Sequence, residues 1–117
     1  MPVPSHKQRV RARGYCQTTL IATRFSETIG LNFSNSLIAR KKQTEFMNSL
    51  ANLEERRKNI KNAFEIINPI HVQDILIIDD ILTSGSTLCE VARTIHRYNP
   101  DVNIIGLTVA AGDRYSV

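Results

Sequence analysis

Two adjacent acids, Asp79 and Asp80, stand at the end of the apolar run "ILII", and "TSGST", Thr83 to Thr87, follows two residues later. Successive strand residues point to opposite faces, so neighbouring acids at a strand end can grip one ligand from two sides. Carboxylates only accept hydrogen bonds, and their natural targets are a sugar diol or a hydrated Mg²⁺. The hydroxyls of Thr83, Ser84, Ser86 and Thr87, with Gly85 among them, precede a stretch of helical periodicity. A hydroxyl-rich turn at a helix N-terminus offers free amides and the positive end of the helix dipole to a phosphate. Acids for a ribose beside a cradle for a phosphate describe a ribose 5-phosphate site. The simpler reading is a turn, in which serines and glycine shape the loop and Thr87 to Glu90, "TLCE", forms a capping box. The order of apolar run, acid pair, hydroxyl loop and helix favours the site.

Positioning such groups takes an α/β framework. "DILII", 74–78, has no polar alternation, as expected of a strand covered on both faces near the centre of a parallel sheet. Leu88, Val91, Ala92, Ile95 and Tyr98 mark the next helix, Asn99-Pro100 stops it, and "NIIGLTVAA" is a second apolar strand. Strand, helix and strand make a crossover unit. Upstream, Ile21, Ala22, Phe25 and Ile29 share one helical face in 15–29, and Gly30 closes that helix. "LNFSNSLIAR" reads as a short strand, and "AFEII" as another ended by Asn68-Pro69. Residues 41–62 are polar and charged, and Leu50, Leu53 and Ile60, with Phe64 just beyond, fall at helical spacings, as for an amphipathic helix or a mobile arm. No repeat or linker divides the chain, so 1–117 is read as one domain.

The bulk numbers agree with a small globular protein: 117 residues, 42% hydrophobic and 22% charged. The longest apolar runs fall far short of the roughly 20 residues of a membrane span, and the basic N-terminus lacks the apolar core of a signal peptide. A cytoplasmic location with no membrane partner is therefore expected. Cys16 and Cys89 are too few for a disulfide framework or a zinc site, and both are expected to be small buried residues. The net charge of +4 sits in "HKQRVRAR", "ARKK" and "ERRKNIK", three patches suited to an anionic partner. Direct single-strand binding ranks last, because it wants stacking aromatics beside the charges, and only Tyr15 adjoins a basic cluster.

Three other acid-tipped frameworks are excluded. A Walker-type ATPase needs G-x-x-x-x-G-K-[ST] and a dinucleotide fold needs G-x-G-x-x-G, and the chain has neither. A response-regulator receiver needs a lysine on a later strand, and none of the 37 residues after Asp80 is a lysine.

"ILIIDDILTSGSTL" closely resembles the phosphoribosyl-pyrophosphate (PRPP) signature of type I phosphoribosyltransferases. "PVPSHKQRVRARGYCQ" and "EERRKNIKNAF" are similar to two further segments of the ComF family, the competence-associated members of that superfamily, in family order. The resemblance implies a mostly parallel central sheet flanked by helices, with a flexible hood at about 41–62 and a first strand that begins upstream of "MPVP". It further implies a protein that binds PRPP, or another ribose 5-phosphate ester, with Mg²⁺ and without zinc, and transfers the phosphoribosyl group to an acceptor. Asp79 and Asp80 would meet the ribose hydroxyls, directly or through Mg²⁺, as catalytic groups. Thr83, Ser84, Gly85, Ser86 and Thr87 would hold the 5-phosphate. Pro4 and Ser5 fall in the pyrophosphate loop, and Arg56 and Arg57 in the hood, where they would cover the leaving pyrophosphate. The family's use in DNA uptake implies a partner protein there. An unfilled sheet position would invite a homodimer. A non-catalytic ribose-phosphate sensor or competence-machinery module is the alternative. Three positions depart from the family pattern: Cys16 replaces an Asn, Asn62 replaces a Gly, and Thr83 stands where purine-salvage relatives carry an acid.

Overall fold

The computed structural model describes residues 1–4, 14, 16–41, 61–82 and 84–112. In chain order it has helix α1 (Gln17–Ile29), strands β1 (Ile38–Arg40), β2 (Phe64–Ile66) and β3 (Asp74–Leu82), helix α2 (Ser86–Tyr98) and strand β4 (Asn103–Ala111). The β3–α2–β4 crossover matches the expectation, with β3 and β4 parallel and Ile75 beside Ile104, Ile77 beside Gly106 and Asp79 beside Thr108.

β3 is flanked on its other side too. The Ile78 N–H donates to the Met1 carbonyl (2.8 Å), and the Val3 N–H donates to the Ile78 carbonyl (2.9 Å), so residues 1–3 run parallel to β3. An empty or poorly filled sheet position was expected here, and Met1 to Val3 occupy it through an isolated bridge at Ile78.

The core lies on the α2 face of this sheet. Ile75 and Ile77 point into it, where they join Val91 and Ile95 of α2, Val3, Ile38, Phe64, Ile70 and Val102. Phe64, Ile77, Ile95 and Val91 are the largest fully buried side chains. Burial of each such residue contributes roughly 1.5–3 kcal/mol. Leu88 packs over Gly106, where an added Cβ would come within 3.5 Å of Leu88 Cδ1.

α1 packs on β3 and buries Thr18, Ala22 and Ser26. The expected stripe of Ile21, Ala22, Phe25 and Ile29 is therefore rotated, and Ile29 is exposed. Ser26 tolerates burial because its hydroxyl donates to the Ala22 carbonyl (2.7 Å). Gly30 ends the helix in the left-handed region (φ 73°), as expected of a C-terminal stop.

β1 and β2 form a separate antiparallel pair, with Ile38 opposite Ile66 and Arg40 opposite Phe64. The strand expected across "LNFSNSLIAR" is confined to its last three residues. The cysteines also differ from expectation: Cys16 is half-buried and Cys89 exposed. Cys16 immediately precedes α1 and accepts a hydrogen bond at Sγ from Thr19 Oγ1, while Cys89 lies on the outer side of α2. No helix among the described residues is long and apolar enough to cross a membrane.

Candidate functional site

β3 ends at Leu82 and α2 begins at Ser86, so the acid pair and the hydroxyl loop fall at the carboxyl edge of the parallel sheet, where open α/β folds bind ligands. A shallow open cleft lies there, lined by Asp79, Ile81, Leu82 and the run from Ser84 to Leu88.

The loop is built to leave amides open. Gly85 is the N-cap of α2 and sits in the left-handed region at φ 79°, a conformation that glycine adopts without strain. The first intrahelical bond runs from the Cys89 N–H to the Gly85 carbonyl (3.0 Å), so the amides of Ser86, Thr87 and Leu88 precede it. Ser84 Oγ accepts from the Ser86 N–H (3.2 Å) and donates to Ser86 Oγ (2.9 Å). Among the described residues, the Thr87 and Leu88 amides have no acceptor. Two open amides at the positive end of a 13-residue helix are a ready anion site.

The capping-box reading of Thr87 does not hold. Thr87 lies inside the first turn, makes no cap hydrogen bond, and the Glu90 carboxylate turns away from it. The helix starts earlier because Gly85 can take the φ that the turn demands.

The two acids separate as strand alternation requires. Asp79 lines the cleft, while Asp80 is not among its lining residues. Each carboxylate accepts the next backbone amide, Asp80 N–H to Asp79 Oδ1 (2.9 Å) and Ile81 N–H to Asp80 Oδ1 (2.8 Å). Burial pushes the Asp79 carboxyl up to about 6, the Asp80 charge adds to this, and the Asp80 N–H and Arg40 oppose it. Two neighbouring carboxylates, one of them burdened by burial, are the hard oxygen donors that a Mg²⁺ shared with ligand oxygens would take. Mg²⁺ takes one or two carboxylates and fills the rest of its shell from phosphates and water.

Arg40 is the site residue that sequence reasoning missed. It was read only as part of the basic patch "ARKK". Its Nη2 and Nε donate to the Pro4 carbonyl (3.2 and 3.4 Å), and its guanidinium lies over the Phe64 ring, 5.0 Å from the centroid. It also acts electrostatically on Asp79. Arg40 thus holds the expected pyrophosphate loop at Pro4, and its charge opposes the upward shift of Asp79. Arginine suits this place because its planar group stacks and donates at once. Of the other expected site residues, Ser84, Gly85, Ser86 and Thr87 gather at the cleft and Pro4 lies beside Arg40. Ser5, Arg56, Arg57 and Thr83 lie outside the described residues.

A crossover α/β unit with an acid-tipped strand and a hydroxyl loop on its helix is the type I phosphoribosyltransferase pattern, and residues 11–116 match the phosphoribosyl transferase domain family. The chain belongs to that family. It is 30% identical over 114 residues to competence protein F of Haemophilus influenzae, a match that covers 94% of this chain and 49% of that protein. It is 32% identical over 95 residues to DNA utilization protein YhgH of Escherichia coli O157:H7, covering 81% of this chain and 41% of that protein. The chain therefore spans about half the length of these relatives or less, and they bear out the ComF resemblance. No solved structure matches the chain significantly.

Proposed function

We propose that the chain binds PRPP through its ribose 5-phosphate end and transfers the phosphoribosyl group to an acceptor, releasing pyrophosphate. The observation that supports this reading is the shared cleft of Asp79 and the Ser84–Thr87 loop at the N-terminus of α2. The open Thr87 and Leu88 amides and the loop hydroxyls take the 5-phosphate. Asp79 and Asp80 take the ribose hydroxyls and hold Mg²⁺, which supplies charge neutralisation to the pyrophosphate when bound.

In the transfer the bond from C1 of the ribose to the pyrophosphate oxygen breaks, and its electron pair leaves with the pyrophosphate. The acceptor's lone pair forms the new bond to C1. Positive charge grows on the ribose, where the carboxylates stabilise it, and negative charge grows on the leaving group, on the side of Pro4 and Arg40. Groups set in place before the charges form need no reorganisation as the reaction proceeds.

A second reading, a ribose-phosphate sensor without catalysis, is favoured by one observation. Among the described residues, Asp79 is the one acid or base lining the cleft, and a Mg²⁺ ligand is not free to take the acceptor's proton. The names of the relatives, competence protein F and DNA utilization protein, support linking either reading to DNA uptake, and the partner we infer is a protein of that machinery.

The deciding experiment has two stages. Ribose 5-phosphate should raise the melting temperature, since a ligand bound only by the native state stabilises it by about 2.7 kcal/mol at 100 times its dissociation constant. Pyrophosphate release from PRPP and Mg²⁺ in the presence of candidate acceptors then separates enzyme from sensor. A melt moved no further by ribose 5-phosphate than by sulfate at matched ionic strength would sink both readings.

A further inference from the structure

We propose that Glu90 is a positioning residue, which holds the Arg40-bearing β1–β2 pair at a set place beside the phosphate loop; the proposal rests on the PRPP reading above. Glu90 lies one turn into α2, and its side chain is only 5% exposed. A buried carboxylate is costly unless it is hydrogen-bonded or paired. Its nearest charged partners, Arg93 Nη1 at 3.7 Å and Arg97 Nη2 at 3.8 Å, are more than half exposed and stand beyond the ~2.7–2.9 Å of a charge-assisted hydrogen bond. The directional contact is elsewhere: the Asn62 backbone N–H donates to Glu90 Oε1 at 3.1 Å.

Asn62 is set up to receive this hold. It is the one non-glycine among the described residues at positive φ (57°), a conformation that asparagine adopts more readily than most residues. This explains why Asn can stand where the family pattern has Gly. Arg97 Nη1 donates to Asn62 Oδ1 (3.3 Å), so the residue is held from both sides. The next two residues carry the hold onward. The Ala63 carbonyl accepts the Lys41 N–H (2.7 Å), and Phe64 pairs with Arg40 and lies beneath its guanidinium. A continuous path therefore runs from α2 through Glu90, Asn62 and Phe64 to Arg40, which reaches Pro4 and acts on Asp79. The same helix carries the phosphate loop at its start. Glu90 thereby sets the separation between the phosphate end of the site and its pyrophosphate end. A carboxylate present only for surface charge would face solvent as Arg93 does.

The test compares Glu90→Ala and Glu90→Gln in the 117-residue chain by hydrogen exchange and by titration with PRPP plus Mg²⁺ and with ribose 5-phosphate. Glu90→Ala should speed exchange of the Asn62 amide about tenfold and weaken PRPP about tenfold, as for one lost hydrogen bond to a charged group. Ribose 5-phosphate, which needs only the loop and the acids, should stay within about twofold. Glu90→Gln keeps an Oε1 that accepts the Asn62 N–H, and should restore both values to within about threefold of the parent. If Glu90→Ala does not fold, Glu90→Asp, shorter by one methylene, carries the same expectations. Unchanged Asn62 exchange, equal losses for both ligands, or a Gln variant no better than Ala each overturn the proposal. A parent protein that binds neither ligand sinks the PRPP reading itself, and the exchange result then decides the Glu90–Asn62 hold alone.

Discussion

The Arg40 guanidinium lies 5.0 Å from the centre of the Phe64 ring, directly across the β1–β2 pair, and from that platform donates to the Pro4 carbonyl. The ring is 2% exposed, so the cation has a fixed floor. Arg40→Met keeps the stem over the ring and removes the charge. A charged hydrogen-bonding partner contributes ~1.5–3 kcal/mol, so PRPP affinity should fall roughly tenfold or more, with ribose 5-phosphate little changed. Arg40→Lys should recover part of the loss at most, because an ammonium cannot stack and fork together. Calorimetric titration with both ligands checks this. Equal weakening of the two would remove Arg40 from the pyrophosphate end.

The second prediction concerns pH. Asp79 has a native pKa raised to about 6, against ~3.9 for an unfolded aspartate, so the folded state holds its proton more tightly. The stability this proton contributes is complete below pH ~4 and is lost as pH rises through about 6. Asp79→Asn removes the loss and keeps an oxygen for the Asp80 N–H. It should match the parent near pH 4 and exceed it at pH 8, by up to ~3 kcal/mol. Urea unfolding at the two pH values measures the difference. Mg²⁺-dependent PRPP binding, which needs the ionised carboxylate, should weaken in the parent below pH 6 and be abolished in the variant.

The loop makes a third, ordered set of expectations. Gly85→Ala places a Cβ at φ 79° and should cost about 1–2 kcal/mol even without ligand. Ser84→Ala removes the acceptor of the Ser86 N–H and should cost ~1 kcal/mol, as a lost cap does. Thr87→Ala should stay within ~0.5 kcal/mol, since Thr87 makes no cap. Thermal melts rank the three. A Thr87→Ala loss as large as that of Ser84→Ala would restore the capping box.

A fourth prediction addresses β4. Ile105 and Val109 are 65% and 66% exposed, on the sheet face opposite the core, and β4 carries no charge. Among the described residues β4 is bordered by β3 alone, and an uncharged apolar strand at a sheet edge favours pairing with a second copy. Ile105→Lys with Val109→Lys should lower self-association in light scattering while leaving the melting temperature nearly unchanged. A parent that remains monomeric at high concentration would contradict the homodimer expectation.

The legible parts of this fold were those encoded by neighbours in sequence. β3, its acids, the hydroxyl loop, α2 and β4 form one unbroken local pattern, and Gly30 announces the end of α1. The rest depended on distant partners. Arg40 meets Pro4 across 36 residues and Phe64 across 24, so nothing in "ARKK" distinguishes it from its neighbours. The buried face of α1 was misplaced because Thr18 and Ser26 read as polar, while the Ser26 hydroxyl is satisfied within its own helix. Thr87 and Glu90 have capping-box spacing, yet a glycine at positive φ moves the helix start and frees Glu90 for a tertiary contact. Cys89, one residue before Glu90, falls on the opposite, exposed side of α2.

The β1–β2 pair has a consequence for how this fold can diversify. Its three residue pairs and the Lys41 to Ala63 bond bring the two ends of the chain between them together at a closed neck. The entropy of closing a loop grows only logarithmically, by about 0.6 kcal/mol for each doubling of length. A stretch inserted at such a neck can lengthen, shorten or be exchanged wholesale with little effect on the core beneath it. Changes there leave the cleft of Asp79 and the Ser84–Thr87 loop in place, because those residues lie on the other side of the neck in the sequence.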